Sequence, residues 1–306
     1  MNSRTMMDTL KRIPIMGKIA LSLAILLLIS MIAFTRKHKE GFTQSESFIM
    51  KEGPEVFDQF YSSVYDALVF NQVKNDFEIG EIINVTSPTS QSIILDIGSG
   101  TGHHVGKLVE SGLTAYGIDK SPSMIAKAKD NYPSGHFRLG AAEDALLFES
   151  DSVTHILCLG LTIYSIKDKR SFFQNCFNWL VPGGYLALHL VNRDRFDPVL
   201  PVGNKLDIFN PQQFSTQRVM DTRAKFDDFE YKGQFEIFPN DLARYKEIFI
   251  DDRSKVVRQN NHIYYMQPQK KILAEAQDCG FIQTAQIDLL NAGYDYQFIY
   301  ILQKPN

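Results

Sequence analysis

Cysteine is scarce in this chain of 306 residues: Cys158, Cys176 and Cys279 are odd in number, far apart and each set in an apolar periodic segment. Such cysteines argue against a disulfide framework or a zinc site. They read as reduced core thiols, which suits a domain on the reducing side of a membrane. Excess positive charge is also missing, since 32 Lys and Arg face 35 Asp and Glu for a net charge of -3. No basic patch interleaved with aromatics follows the N-terminal region, so no nucleic-acid groove is expected. What is present is core material, 44% hydrophobic and 22% charged residues, in a chain long enough for one large domain with an insertion or for two small ones.

One uncharged apolar run stands apart, residues 19–35, bracketed by Lys18 and by Arg36, Lys37 and Lys39. At about 1.5 Å per residue it reaches roughly 25 Å, slightly less than a hydrocarbon core of about 30 Å, and a snorkelling Lys18 makes up the difference. A cleaved signal peptide and a peripheral or core helix are the competing readings, and Ala33-Phe34-Thr35 is a poor small-x-small site for the first. The run is read as a single-pass membrane helix, with residues 1–18 as an N-terminal tail and 36–54 as a polar linker. Positive charges flank it on both sides, so charge alone does not orient it.

Residues 55–306 carry the folded domain, and glycine clusters there at the end of a strand. Ile93-Ile94-Leu95-Asp96-Ile97 reads as a buried parallel strand and runs straight into Gly98-Ser99-Gly100-Thr101-Gly102. Glycines at that exit let the backbone turn tightly and meet a ligand without an intervening side chain. The stretch 101–108 can then open a helix whose free N–H groups and positive dipole end face the ligand. A dinucleotide fingerprint requires G-x-G-x-x-G, yet His103 stands where the third glycine belongs and Gly102 comes one residue early. The pattern resembles instead the first motif of the class I S-adenosylmethionine-dependent methyltransferases, an acidic residue followed by x-G-x-G-x-G, carried here by Asp96, Gly98, Gly100 and Gly102 with Ser99 between them.

Further markers agree with that resemblance. Residues 114–119 read as the second strand, and Asp119 ends it at the distance, about 20 positions on, where an acidic residue accepts ribose hydroxyls in nucleotide-binding α/β units. Residues 136–139 form the third strand, followed by Gly140. Relatives commonly carry an acid next, but Ala141 takes that place, leaving Ala142 and Glu143 as adenine-edge contacts. The fourth strand, 155–160, brings Leu159 to the cofactor side. Pro182-Gly183-Gly184 resembles the turn before the fifth strand. A last helix over 270–279 stops at Gly280, and runs at 282–289 and 296–303 predict a closing antiparallel hairpin. The implied fold is α/β: a doubly wound, mostly parallel seven-stranded sheet with a reversed last strand.

Two segments lie outside that frame. Residues 192–267 form an insertion after the fifth strand, with antiparallel strands expected over 226–238, 244–250 and 256–266. Insertions at the carboxyl ends of strands lie beside the ligand crevice, so this one is expected to build the acceptor pocket. Ahead of the first strand, Phe57, Phe60, Tyr61, Val64, Tyr65 and Leu68 recur at helical spacing, which by itself describes plain core packing. The resemblance implies more: a Y-x-x-x-Y-D helix looks like the lid of many small-molecule methyltransferases, making Tyr61 and Tyr65 candidate contacts to cofactor or substrate.

Methyl transfer from a sulfonium needs alignment and exclusion of water, with a general base if the nucleophile carries a proton. The candidates at the rim are His189 near the end of the fifth strand, Tyr164 after the fourth as a channel wall, and Arg193 as a ligand for an acidic substrate group. A lone His in an apolar strand is ordinarily a satisfied core residue. The His103-His104 pair lacks the carboxylate partners and spacing of a metal site, so no metal is expected. The leading reading is a membrane-anchored methyltransferase using S-adenosyl-L-methionine on a small-molecule or membrane-proximal acceptor, its catalytic domain on the cytosolic side where that donor is made. A cofactor-binding membrane scaffold without catalysis, and an NAD(P) oxidoreductase, stand as the alternatives.

Overall fold

The computed structural model describes residues 47–204, 212 and 215–306. The expected membrane segment over 19–35, its preceding tail and residues 36–46 of the linker lie outside the described residues. Among the described residues, no helix is long and apolar enough to cross a membrane.

The described chain opens with strand β1 (Phe48–Glu52) and helices α1 (Gln59–Val69) and α2 (Gln72–Thr86). An alternating run follows: β2 (Ile93–Ile97), α3 (His103–Glu110), β3 (Thr114–Asp119), α4 (Pro122–Asn131), β4 (His136–Leu139), β5 (Val153–Cys158), α5 (Thr162–Ser165), α6 (Lys169–Trp179) and β6 (Leu180–Val191). After it come β7 (Asp221–Lys225), β8 (Phe229–Ile237), β9 (Leu242–Asp251), β10 (Val257–Tyr265), α7 (Gln269–Asp278), β11 (Ile282–Asp288) and β12 (Gln297–Gln303).

Seven strands form one sheet in the order β11-β12-β6-β5-β2-β3-β4. Pairing is parallel from β6 to β4, while β12 runs antiparallel to both β6 and β11. This is the expected sheet with its reversed last strand. It forms because period-2 sequence places apolar side chains on both faces. Leu95, Ile97, Leu186 and Leu188 pack with Trp179, Phe172 and Phe173 on one side. Ile94, Leu157 and Ala187 pack with Ile79, Val105 and Leu108 on the other. Cys158 and Cys176 are buried in this interior and, with Cys279, are free thiols. Helix starts follow side-chain caps: Asp58 accepts from the Tyr61 amide at 3.1 Å, and Ser121, ahead of Pro122, accepts from Met124 at 3.0 Å.

The Pro-Gly-Gly turn is placed differently from expectation. Leu180 already pairs with Val153, the register then shifts, and Tyr185 pairs with His155. Pro182 to Gly184 are therefore an irregularity inside β6, stabilised by Gly183 donating to the Lys304 carbonyl and Lys304 donating to Gly184. A turn signal marks a break in pairing here, and the final segment of the chain mends it.

A second sheet, in the order β1-β10-β9-β8-β7, is built from the insertion and one strand from before the lid. The three expected insertion strands are β8, β9 and β10; β7 is a fourth. Residues 48–52, expected to be linker, are β1, paired in parallel with β10 from Phe48↔Val257 to Glu52↔Asn261. That strand has no clear pattern of its own because it is an edge, held by backbone pairing. Helix α2 was also hidden, since its buried positions include Asn75, Glu78 and Thr86 beside Ile79 and Ile82.

The inner face of the second sheet packs on α1, with Phe60 edge-on to Phe249 at 5.2 Å between centroids. Arg258 joins the two. It is fully buried, pairs with Asp58 at 2.9 Å, donates to Asn260 Oδ1 at 2.8 Å and to the Val56 carbonyl at 3.2 Å, and lies over the Phe60 ring at 4.7 Å. Arg258→Met leaves these acceptors without their donor and is expected to cost about 3 kcal/mol or more. Urea unfolding followed by circular dichroism measures the loss, and an unchanged midpoint contradicts this account of how α1 is held.

Candidate functional site

The glycine loop is held at the exit of β2 by the end of β3. Gly98 and Ser99 both donate to the Ile118 carbonyl, at 2.8 and 2.9 Å, and Gly102 donates back to Ser99 at 2.9 Å. Asp119 completes the arrangement: Oδ2 accepts from Gly100 at 3.0 Å and Oδ1 from Ser121 at 2.8 Å. Burial raises the Asp119 carboxyl above its ordinary range, against the pull of those two amides. Glycine is required at two points. At Gly100 φ is +53° and an added Cβ meets nothing nearer than Tyr65 Cε1 at 3.9 Å, so this backbone is open toward the lid. At Gly102 φ is +91° and a Cβ would press on Phe137 at 2.7 Å, so this glycine lets α3 pack close to the sheet.

The lid is fastened to this loop by a residue the motif contained but whose part was not assigned. Asp66, last in Y-x-x-x-Y-D, accepts from Thr101 Oγ1 at 2.5 Å and from Asn131 at 3.2 Å, and pairs with His103 at 3.0 Å. Burial would raise its carboxyl; the His103 and Thr101 contacts overcome that and lower it. The two tyrosines grouped as cofactor contacts separate. Tyr65 stands beside Gly100, whereas Tyr61 turns away and donates to Glu247 on β9 at 3.2 Å.

After β4, where adenine contacts were expected, Ala142 is buried and its carbonyl accepts from Asn175 at 2.9 Å, while Glu143 is exposed and paired with Lys120 at 2.6 Å. Leu159 is buried under the loop after β5. Asp96 lies 3.5 Å from His104, which lies 3.4 Å from Glu78, itself paired with Lys74 at 3.2 Å. This charged chain sits on the same sheet face as α2. Burial opposes the His104 charge, but Asp96 and Glu78 outweigh it and push its pKa up to about 9. Glu78, raised by burial, is carried down to about 2 by Lys74 and His104.

The three rim residues hold other duties. Tyr164 is fully buried, its hydroxyl accepting from the Val191 amide at 2.9 Å and facing the Val191 carbonyl at 3.3 Å, so it locks the end of β6 and does not wall a channel. Arg193 clamps the insertion, donating to Asp241 at 2.9 Å, Met266 at 2.8 Å and Phe238 at 3.0 Å, which leaves no fork for an acidic substrate. His189 is 1% exposed, and its Nδ1–H donates to the Gly160 carbonyl at 2.7 Å. Burial drives its pKa down to about 4, so it is a neutral prop for the loop after β5.

A polar cluster missed by the sequence reading lies on the inner face of the insertion. Glu247, with no exposure, accepts from Tyr61, Tyr231 at 2.8 Å, Asn260 at 3.2 Å and His262 at 2.6 Å. Gly233 gives room for it, since a Cβ there would strike the Tyr245 hydroxyl at 2.0 Å. The signal was available: β9 alternates strictly in burial, and Glu247 falls in phase with Ala243, Tyr245 and Phe249.

The chain's residues 94–184 match the family model for a methyltransferase domain. A glycine/sarcosine N-methyltransferase of Halorhodospira halochloris is 32% identical over 108 residues, 33% of this chain and 40% of that protein. The chain spans less than half the length of the curated relatives it matches. Among solved structures, a methyltransferase from Streptomyces caelestis shares the fold at a TM-score of 0.61 and 14% identity, over 82% of this chain and 98% of that one. An amino pentose methyltransferase from Micromonospora echinaspora, solved with S-adenosylmethionine bound, does so at 0.56 and 16%, over 81% and 98%. Residues 94–184 thus match a methyltransferase domain, and the described fold is one shared with solved S-adenosylmethionine-dependent methyltransferases.

The histidines set a pH optimum for stability. His104, raised to about 9 from an ordinary 6.5, contributes fully below pH 6.5 and loses its contribution as pH climbs toward 9. His189 and His155, lowered by burial to about 4, cost nothing above pH 6.5 and destabilise the fold as pH falls toward 4. The thermal midpoint is expected to peak near pH 6.5, and His104→Gln to flatten its alkaline side; a midpoint unchanged from pH 6.5 to 9 in the unsubstituted protein would contradict the assignment.

Proposed function

We propose that this chain transfers a methyl group from S-adenosylmethionine to a small acceptor lying between lid α1 and the inner face of the insertion, as a single-pass membrane protein with its catalytic domain toward the cytosol. The observation that carries the reading is the joint placement of the open Gly100 backbone, the Asp119 carboxylate and Tyr65 at the carboxyl ends of β2 and β3. A pyrophosphate-binding reading fits poorly, because Gly102 comes one residue earlier than the third glycine of the dinucleotide fingerprint and His103 stands in that place.

The residues present suit the cofactor. Asp119 accepts the ribose hydroxyls, exchanging its bond to Gly100 for them; the Gly98 to Gly102 backbone follows the amino-acid portion; Ala142 and Glu143 border the adenine. Bound there, the cofactor supplies a methyl group on a positively charged sulfur that leaves as a neutral thioether. The protein's share is alignment and dryness: Asp66 holds the lid on Thr101, and Tyr61 ties the lid to Glu247. The names of two similar proteins, one for glycine and sarcosine and one for an amino pentose, support a small acceptor. The uncharged run 19–35 and its basic flanks support the anchor.

Asp119→Ala should weaken binding of S-adenosylhomocysteine by about 1–3 kcal/mol, the scale of an unmade charged hydrogen bond. Calorimetry reads this directly, and unaltered affinity removes the ribose assignment. For the membrane placement, expressed full-length protein should stay in the membrane fraction after carbonate washing, and the folded domain should be digested by protease added to the cytosolic face. Release by carbonate, or protection from that protease, refutes the anchor or its orientation respectively.

A further inference from the structure

The insertion's inner face holds a built polar site that neither the family model nor the cofactor accounts for, since the matched segment ends at residue 184. Its centre is Glu247. A carboxylate with no exposure is tolerable only when its lone pairs are met, and four donors meet it: two phenols, one amide and the His262 Nε2–H. Because a carboxylate only accepts, His262 must carry a proton on Nε2, and in its neutral form the ring presents the Nδ1 lone pair. Nδ1 makes no hydrogen bond among the described residues, nor do the hydroxyls of Tyr65 and Tyr264. Aromatic rings enclose the imidazole: Phe57 at 5.5 Å, Tyr61 at 5.4 Å, Tyr245 at 6.1 Å and Tyr264 stacked at 6.2 Å. Tyr61 is in turn 5.8 Å from Tyr65, the residue beside Gly100, so the site adjoins the place of methyl transfer.

Resting on the methyltransferase reading above, we propose that the Glu247–His262 pair is the acceptor subsite and general base of this protein, and that the acceptor is a small protonated amine. The site's charge selects it. Glu247 is the uncompensated ion, because the neighbouring cation, Arg258, is neutralised by Asp58 at 2.9 Å. A carboxylate acceptor meets repulsion there, whereas an ammonium gains the Glu247 field and the faces of Tyr61, Tyr245 and Tyr264. The phenols stay out of the proton transfer: burial, reinforced by the Glu247 charge, pushes Tyr61, Tyr231, Tyr245 and Tyr264 well above their ordinary range and keeps them protonated. His262 Nδ1 takes the ammonium proton, and the resulting imidazolium is held by Glu247. The freed nitrogen lone pair forms the N–C bond as the S–C bond of the bound donor breaks, its electron pair leaving with sulfur and the positive charge passing to nitrogen. His262 then returns its proton to water.

The test uses the full chain in detergent micelles, with Glu247→Gln and His262→Gln beside the unsubstituted protein. S-adenosylhomocysteine affinity by calorimetry comes first: all three should bind alike, and failure of the unsubstituted protein to bind refutes the methyltransferase reading itself. Protein saturated with S-adenosylhomocysteine is then titrated with ethanolamine, sarcosine and glucosamine, and with their oxygen counterparts ethylene glycol, glycolate and glucose. At least one amine should bind, its oxygen counterpart at least tenfold more weakly, and Glu247→Gln should lose at least tenfold in amine affinity. In nitrogen-15 spectra of labelled histidine, the resonance absent from His262→Gln should report a protonated Nε2 and move toward the imidazolium position when the amine binds. With S-adenosylmethionine, the rate on that amine should rise with pH along one ionisation that His262→Gln removes. The proposal is overturned if no amine binds while S-adenosylhomocysteine does, if oxygen counterparts bind or react equally, or if either variant leaves amine affinity, the nitrogen-15 resonance or the pH profile unmoved.

Discussion

Everything at this site depends on the exit of β2 being held against the end of β3. Two successive amides, those of Gly98 and Ser99, share the Ile118 carbonyl, and the next residue on that strand, Asp119, takes the amide of Gly100. These bonds bend the chain into the left-handed region three times in five residues without losing its place in the sheet. The loop then offers Thr101 to Asp66, and the lid is positioned in turn. Each later feature, from the open Gly100 backbone to the tyrosine beside it, inherits its coordinates from that pair of strand ends.

The lid and the insertion form one wall. Tyr61 leaves α1 to reach Glu247, Arg258 leaves β10 to reach Asp58 at the start of α1, and Phe60 and Phe249 fill the space between. Buried ion pairs and satisfied carboxylates add little net stability compared with apolar packing, yet breaking one is costly. Their effect here is to fix one arrangement of a sheet against a helix where apolar contacts alone would admit several. Arg193 performs the same duty at the other end of the insertion, tying β6 to the segments before β9 and after β10.

The central sheet was legible because its strands bury both faces and so write themselves as apolar runs, and because glycines mark the one place where the backbone must turn toward a ligand. The loop at the exit of β2 followed from Asp96, Gly98, Gly100, Gly102 and Asp119, whose spacing is fixed by the strands that carry them. The polar cluster on the insertion was not legible. His189, Tyr164 and Arg193 sit at the correct ends of strands, but position along a strand does not say whether a polar side chain faces a ligand or a carbonyl, and all three face carbonyls. The residues that gather instead, Tyr61, Glu247 and His262, come from segments distant in sequence and meet only through sheet register, with Glu247 opposite Asn260 and Tyr245 opposite His262. A glutamate in the apolar phase of β9 was the clue, and it calls for reading polar residues against strand phase. β1 escaped for the converse reason: an edge strand needs only a partner's backbone.

That edge strand has a consequence for how the protein is made. β1 precedes the lid, yet its partner β10 leaves the ribosome roughly 200 residues later, a separation that makes the pairing slow and entropically expensive. The central sheet from β2 to β6 can collapse while Phe48 to Glu52 still has nothing to pair with, so α1 has no sheet to settle against during most of synthesis. Closure of the site therefore waits on the last third of the chain. A nascent molecule cut short before β10 would retain the glycine loop and β7 to β9, but it would lack the Arg258 that pairs with Asp58 at the start of α1 and the partner of β1.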